Sequence, residues 1–346
     1  MIDYLRDGMR NKCCFIIVYF GKLPKQFPMF LKTCATNTDF NWLLFTDDNT
    51  SYKYPQNVNR YLMTFTEFKD LAEEKFGFPL SLEKPYKLCD LKPMYGFILE
   101  DYIQGFDFWG HTDIDTIMGD LATFITDDLL DQYDKLFIQG HFIIYRNSTE
   151  NNRVFMRQRG EEYIYKTVLQ TPEICWFDEE YKNDRNVNQI FLEQNRRVFQ
   201  EDWSVNFHTK RNGFQRVICK GADADHHFLG YEVESPEKYL YIWDHGHIYR
   251  QHIVDGVLSQ EEMMYMHFQH RKMRYSDVIL AKDWFKIVPN SFKEIKKIPS
   301  TKMEYLFTPK CILQWDYSKK WCSERLNRIV KKIECNWKAV TKFTES

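Results

Sequence analysis

The chain of 346 residues has no CxxC pair, and its nine cysteines are odd in number and lack the spacing of a disulfide framework. Cys13, Cys14, Cys34, Cys89, Cys175, Cys219, Cys311, Cys322 and Cys335 therefore read as reduced, mostly buried thiols of a cytoplasmic protein. A long hydrophobic run is also missing. Met1 to Lys12 carries charges where a secretory leader needs an apolar stretch, and the longest early apolar run, Cys13 to Phe20, is far too short to span a bilayer. Neither charge sign is in excess: 47 Lys and Arg against 49 Asp and Glu leave a formal net charge of -2. That balance gives no chain-wide field for nucleic acid, so no such partner is expected and any basic function must be regional. No internal repeat, low-complexity tract or linker interrupts the chain before about residue 300.

What is present is a 44% hydrophobic composition with well-mixed charges, enough to bury a sizeable core. Aromatics reach 17%, which suits a carbohydrate-handling surface and an aromatic core equally and so selects neither. Cys13 to Phe20 reads as a strand ending at Gly21, Pro24 to Thr36 has helical spacing, and Trp42 to Phe45 is a second strand closed by Thr46-Asp47-Asp48. Val58 to Phe65 reads as a third strand and Thr66 to Lys75 as a helix, so the opening is an α/β layer with a largely parallel sheet. A helix begins near Tyr86 or Pro93 and presents Tyr95, Ile98, Leu99 and Tyr102 on one face. Phe106 to Trp109 then delivers the chain into Trp109-Gly110-His111-Thr112-Asp113-Ile114-Asp115. Further strands are expected at Leu136 to Ile138, Phe142 to Tyr145, Val217 to Cys219, Tyr239 to Trp243, Ile248 to His252 and Met263 to Phe268, with a helix at Arg185 to Gln194. Ser318 to Phe343 carries eight Lys or Arg, while Cys322, Leu326, Ile329, Val330, Ile333, Trp337 and Val340 line one face. This basic amphipathic helix is either a packing helix with a solvated cationic face or an interfacial helix on an anionic membrane surface.

Two carboxylates one residue apart reach a single hard cation, which neutralises a diphosphate; the plainer alternative is a solvated acidic turn capping a helix. Position argues for the cation, because Asp113 and Asp115 follow an apolar strand, and ligands of open α/β sheets bind at the carboxyl ends of strands. Asp223-Ala224-Asp225-His226-His227 is a second, ligand-richer D-x-D, set in a polar stretch that reads as a solvated loop. It supports an alternative function, a metal-dependent phosphodiesterase or nucleotidyltransferase.

Lys87-Leu88-Cys89-Asp90-Leu91-Lys92-Pro93, a helix, and then Trp109 to Asp115 resemble bacterial polysaccharide-biosynthesis glycosyltransferases of the GT-A fold. Cys13 to Gly21, Phe40 to Asp48, Gly140 to Asn147 and Met266 to Met273 extend the resemblance over about residues 13 to 275. The resemblance implies a single Rossmann-type nucleotide-binding domain over about residues 1–300 with a mixed, mostly parallel sheet, and a basic helical extension over 301–346. It implies that Phe20, Gly21 and Asp47 or Asp48 border the nucleotide, that Asp90 with Lys87 or Lys92 holds the donor sugar, and that His267 completes a Mn2+ or Mg2+ site with Asp113 and Asp115. Arg271 and Lys272 would face the diphosphate. Without the resemblance, Gly21 is a turn, Asp90 and Lys87 are an i, i+3 surface ion pair, and His267 ends a strand before two solvated cations. The activity implied is sugar transfer from a nucleotide-sugar, a UDP-sugar foremost, to a glycan or glycolipid acceptor at the inner face of a membrane; a chain that kept the fold but only binds glycan is the remaining alternative. Asp178 and Glu179 are the candidate catalytic carboxylates: an inverting transferase needs a base for the acceptor hydroxyl, whereas two adjacent acids also suit the first turn of a helix.

Overall fold

Cys13–Val18 (β1) is an unbroken apolar run because both of its faces are covered. Cys14 and Ile16 point into one core with Leu88, Tyr95 and Ile98; Cys13, Phe15 and Ile17 point into another with Phe27, Phe30 and Trp42. The computed structural model describes residues 8–179, 184–207, 213–235, 239–269 and 271–310. Helix α1 (Phe27–Cys34) starts with a proline in its first turn and buries Phe27, Met29, Phe30 and Leu31. Then come β2 (Phe40–Thr46) and β3 (Val58–Leu62). The third strand stops short of the expected Phe65 because Thr64 and Glu67 form a reciprocal capping box that opens α2 (Phe65–Phe76). The expected helix after Tyr86 is a tighter 3₁₀ segment, Pro85–Met94, followed by a single helical turn, Tyr95–Ile98. Pro93 lies inside that segment and lacks the donor a regular helix would need.

Next in the chain are β4 (Phe108–Thr112), β5 (Thr116–Met118), β6 (Lys135–Leu136), β7 (Phe142–Arg146), β8 (Val198–Phe199) and β9 (Ser204–Asn206). The main sheet runs β3-β2-β1-β4-β7-β6-β8. Strands β3, β2, β1 and β4 are mutually parallel, β7 is antiparallel to both neighbours, and β8 is parallel to β6. The expected helix at Arg185 is present as Val187–Glu193, capped by the Asn186 side chain.

The later strands are β10 (Val217–Cys219), β11 (Tyr231–Val233), β12 (Leu240–Asp244), β13 (His247–Val254), β14 (Val257–Met263), β15 (Tyr265–His267), β16 (Trp284–Val288) and β17 (Ser291–Lys293). They form an antiparallel sheet β14-β13-β12-β16-β17, a hairpin β10-β11, and a small sheet β5-β15-β9. The single strand expected over Met263 to Phe268 is divided at Met264 between two sheets. The last helix among the described residues, Lys302–Phe307, lays Tyr305 against Leu240, Ile242 and Ile295. The architecture is therefore a mixed α/β fold with mixed sheets. The basic segment Ser318 to Phe343 lies outside the described residues, among which no helix is long and apolar enough to cross a membrane.

Candidate metal centre

Strand β4 ends at Thr112, and the chain turns at once: the Asp113 amide donates to the His141 carbonyl at 3.0 Å and the Thr116 hydroxyl to the Asp113 carbonyl at 2.6 Å. Strand β5 then pairs with β15, so that Thr116 lies opposite His267, while β9 on the other side of β15 sets Asn206 beside it. This register brings a histidine from far downstream to the two carboxylates. One ligand atom each of Asp113, Asp115 and His267 lies within 4.8 Å of the others. His267 Nε2 is 3.8 Å from Asp113 Oδ2 and 3.4 Å from Asp115 Oδ1. Burial alone would lower the His267 pKa, but the two carboxylates carry it above the ordinary histidine value. The aspartate side chains stay 30% and 21% exposed, so the group opens to solvent on the carboxylate side.

Lys92 joins this group to a third carboxylate. Its Nζ lies 2.7 Å from Asp113 Oδ1 and 3.5 Å from Asp178 Oδ2, and donates to the Gly140 carbonyl at 2.9 Å. Burial would lower its pKa; Asp113 and Asp178 more than offset this and keep it charged. Asp178 and Glu179 are pushed upward by burial, opposed by Lys92 and reinforced by neighbouring carboxylates. Gly140 packs flat on them: a Cβ there would sit 2.4 Å from Asp178 Oδ2. Asp178 and Glu179 thus stand beside the Asp113 group.

Other expected residues stand elsewhere. Asp90 is fully buried, with Oδ2 accepting from Lys87 Nζ and the Cys175 amide, both at 2.8 Å, and Oδ1 from the Phe177 amide at 2.9 Å. Asp90 and Lys87 are therefore buried and paired with each other rather than open to solvent, and they clamp the segment that carries Asp178. The Phe20 ring packs on Phe65 and Phe68 in the core. Gly21, at φ 90°, donates to Asp47 Oδ1 at 2.7 Å, and Asp48 accepts from Leu23 and Thr50 amides at 2.9 Å. Both aspartates thus tie the loop after β1 to the loop after β2, with Asp47 exposed and Asp48 buried. Arg271 is buried against Phe214, 5.6 Å from its ring centroid, and donates to the Gly213 carbonyl at 3.2 Å, whereas Lys272 is exposed.

The second D-x-D also assembles a group, Asp223, Asp225 and His227, but all three are exposed and His226 is not in it. Asp223 Oδ1 accepts from its own loop amides at Asp225 and His227, at 2.9 and 2.8 Å, which is what a turn between β10 and β11 requires. Sequence reasoning missed Tyr19, whose half-buried phenol is raised by burial and by the charges of Asp115 and Asp48. The alternation of β1 was the available signal, since a core-facing Phe20 sends Tyr19 to the other side. Also missed were Asn206, Gln139 and His141, all buried around His267; no local motif marks them.

The chain belongs to DUF6625, a family of unknown function, which it matches over residues 15–296. No curated protein matches the chain.

Proposed function

We propose that this DUF6625 member is a metal-dependent glycosyltransferase of GT-A-like, Rossmann-type fold. It would transfer a sugar from a nucleotide-diphosphate donor, a UDP-sugar foremost, to a glycan or lipid-linked glycan acceptor in surface polysaccharide synthesis at the cytoplasmic face of a membrane. The observation that carries the reading is the convergence of Asp113, Asp115 and His267 from two distant parts of the chain. Two carboxylates and one imidazole, partly open to solvent, make a donor set suited to Mn2+ or Mg2+, the imidazole tilting the preference toward Mn2+. When bound, such a cation supplies Lewis-acid stabilisation of a departing diphosphate. The topology supports a nucleotide site as well: the loops after β1, β2 and β4 leave the carboxyl ends of adjacent parallel strands, where α/β sheets hold ligands.

The remaining roles follow from the side chains. Lys92, its Nζ 2.7 Å from Asp113 Oδ1, sets the orientation of that carboxylate. Burial raises the Asp178 pKa to about 8, so its ionised form, populated as pH approaches that value, is a base strong enough to take a proton from an acceptor hydroxyl. Tyr19, half-buried just after β1 and within reach of the charges of Asp115 and Asp48, offers a ring on that side of the sheet. Incubation with a panel of nucleotide-sugars and Mn2+, with and without EDTA, tests the reading: turnover is expected to need the cation and to be lost in Asp113→Ala/Asp115→Ala. Full activity in that double variant, or loss only when Asp223, Asp225 and His227 are replaced, would overturn it in favour of the exposed cluster.

A further inference from the structure

Behind His267 lies a row of buried polar side chains that the proposed reaction does not itself use. His267 Nδ1 is 3.1 Å from Asn206 Oδ1, and the same oxygen accepts from Gln269 Nε2 at 2.7 Å. Asn206 Nδ2 donates to Gln139 Oε1 at 3.3 Å, and that oxygen is also 3.2 Å from His141 Nε2. His141 Nδ1 in turn lies 2.9 Å from the Tyr265 hydroxyl, and its ring lies 4.2 Å from that of His267, tilted by 31°. Asn206, Gln139, His141, Tyr265 and His267 are each at most 7% exposed.

Buried polar atoms must find partners of opposite kind, so the direction of each hydrogen bond constrains the next. With Tyr265 donating to His141 Nδ1, a neutral His141 donates from Nε2 to Gln139. Gln139 Oε1 then also accepts from the Asn206 amide, and Asn206 Oδ1 is left as an acceptor for His267 and Gln269. Reversing one link would require the amides of Asn206, Gln139 and Gln269 to flip together and His141 to move its proton to Nδ1, with Tyr265 then accepting. A histidine that must donate from Nδ1 has only Nε2 to offer to a ligand, and Nε2 is the atom facing Asp113 and Asp115.

We propose that Asn206 is a positioning residue: it holds a proton on His267 Nδ1 and so fixes the ring with Nε2 toward the two aspartates, while Gln139, His141 and Tyr265 lock the orientation of its amide. The inference rests on the metal reading for its consequence but not for its geometry. Partners of this kind behind a ligating histidine set its tautomer and orientation, and their loss weakens metal affinity by about 10–100-fold.

Two measurements test it. In the wild-type chain, in buffer alkaline enough for the His267 ring to carry a single proton, 15N NMR of histidine side chains should find that proton on Nδ1 both without cation and with diamagnetic Mg2+. A bare Nδ1 in either state overturns the proposal. Mn2+ titration followed by electron paramagnetic resonance should show about a 10–100-fold weaker site in Asn206→Leu and near-normal affinity in Asn206→Asp, which keeps the acceptor. Thermal unfolding identifies a variant that fails to fold, and the wild-type NMR result stands without any variant. Equal affinity in Asn206→Leu, with binding lost in Asp113→Ala, overturns the positioning role while leaving the metal site intact. If the wild type binds neither cation, the metal reading fails, and the Nδ1 proton alone decides whether Asn206 sets the ring.

Discussion

At the scale of single residues, Asp178 responds most directly to its surroundings. Burial raises its pKa, Lys92 pulls it back, and the absence of a Cβ at Gly140 lets the carboxylate pack directly on the backbone. In the unfolded chain the same carboxyl titrates near about 4. The folded state therefore holds a proton the unfolded state has released, and the stability linked to that proton is complete below the unfolded value and is lost as pH rises toward the raised one. Asp178→Asn should accordingly gain in Tm over wild type as pH climbs from about 5 to 8, with the gain vanishing in acid. Superimposable Tm–pH curves for the two proteins would refute the raised carboxyl. Gly140→Ala acts on the same contact from the other side. Its Cβ would meet Asp178 Oδ2 at 2.4 Å, so the carboxylate or the backbone must shift, at about 1–3 kcal/mol in stability. Denaturant unfolding checks that figure, and transfer assays should show a lower kcat with Mn2+ affinity little changed.

At the scale of elements, the Pro85–Met94 segment works as an anchor. Asp90→Ala would leave the Lys87 ammonium buried without its carboxylate and strip two amides, at Cys175 and Phe177, of their acceptor. Removing one partner of a buried pair costs about 3–5 kcal/mol, and hydrogen exchange should speed up at those two amides in particular. The double variant Asp90→Leu/Lys87→Met should recover much of the stability but not the exchange protection, because no acceptor returns. This anchoring explains what could be read from sequence and what could not. The Lys87 to Asp90 spacing correctly indicated a paired acid and base, yet spacing cannot say whether an i, i+3 pair faces solvent or a distant loop. Likewise β1, β2 and β4 announce themselves as apolar runs, and Asp113 and Asp115 follow from where β4 must end. The strands β5, β9 and β15 are three residues each, too short to carry a period, and their pairing is decided by tertiary contact. His267 could be nominated only by resemblance, and its neighbour Asn206 not at all, since parallel register between β9 and β15 leaves no trace in either segment.

At the scale of the whole molecule, the Asp113 group sits where two sheets meet. Asp113 and Asp115 lie between β4 of the seven-stranded sheet and β5 of the three-stranded sheet, and His267 ends β15 of that small sheet, which the chain enters directly from β14 of the five-stranded one. A cation held by all three would therefore tie the early half of the chain to the late half, and its binding free energy would add to the stability of the folded state, because the unfolded chain has no such arrangement. For a ligand that binds only the folded form, the gain is about 2.7 kcal/mol at a concentration one hundred times Kd. Mn2+ should thus raise Tm of the wild type in a saturable, concentration-dependent way, and EDTA should return it. Asp113→Ala/Asp115→Ala should abolish the shift altogether, whereas His267→Ala should move its midpoint to higher Mn2+ rather than remove it, since two oxygen ligands remain. Asp223→Ala should leave the shift unchanged, because its exposed turn joins only β10 to β11. A Tm shift that survives the double aspartate variant but is lost in Asp223→Ala would assign the cation to the outer loop and leave the junction of the two sheets without one.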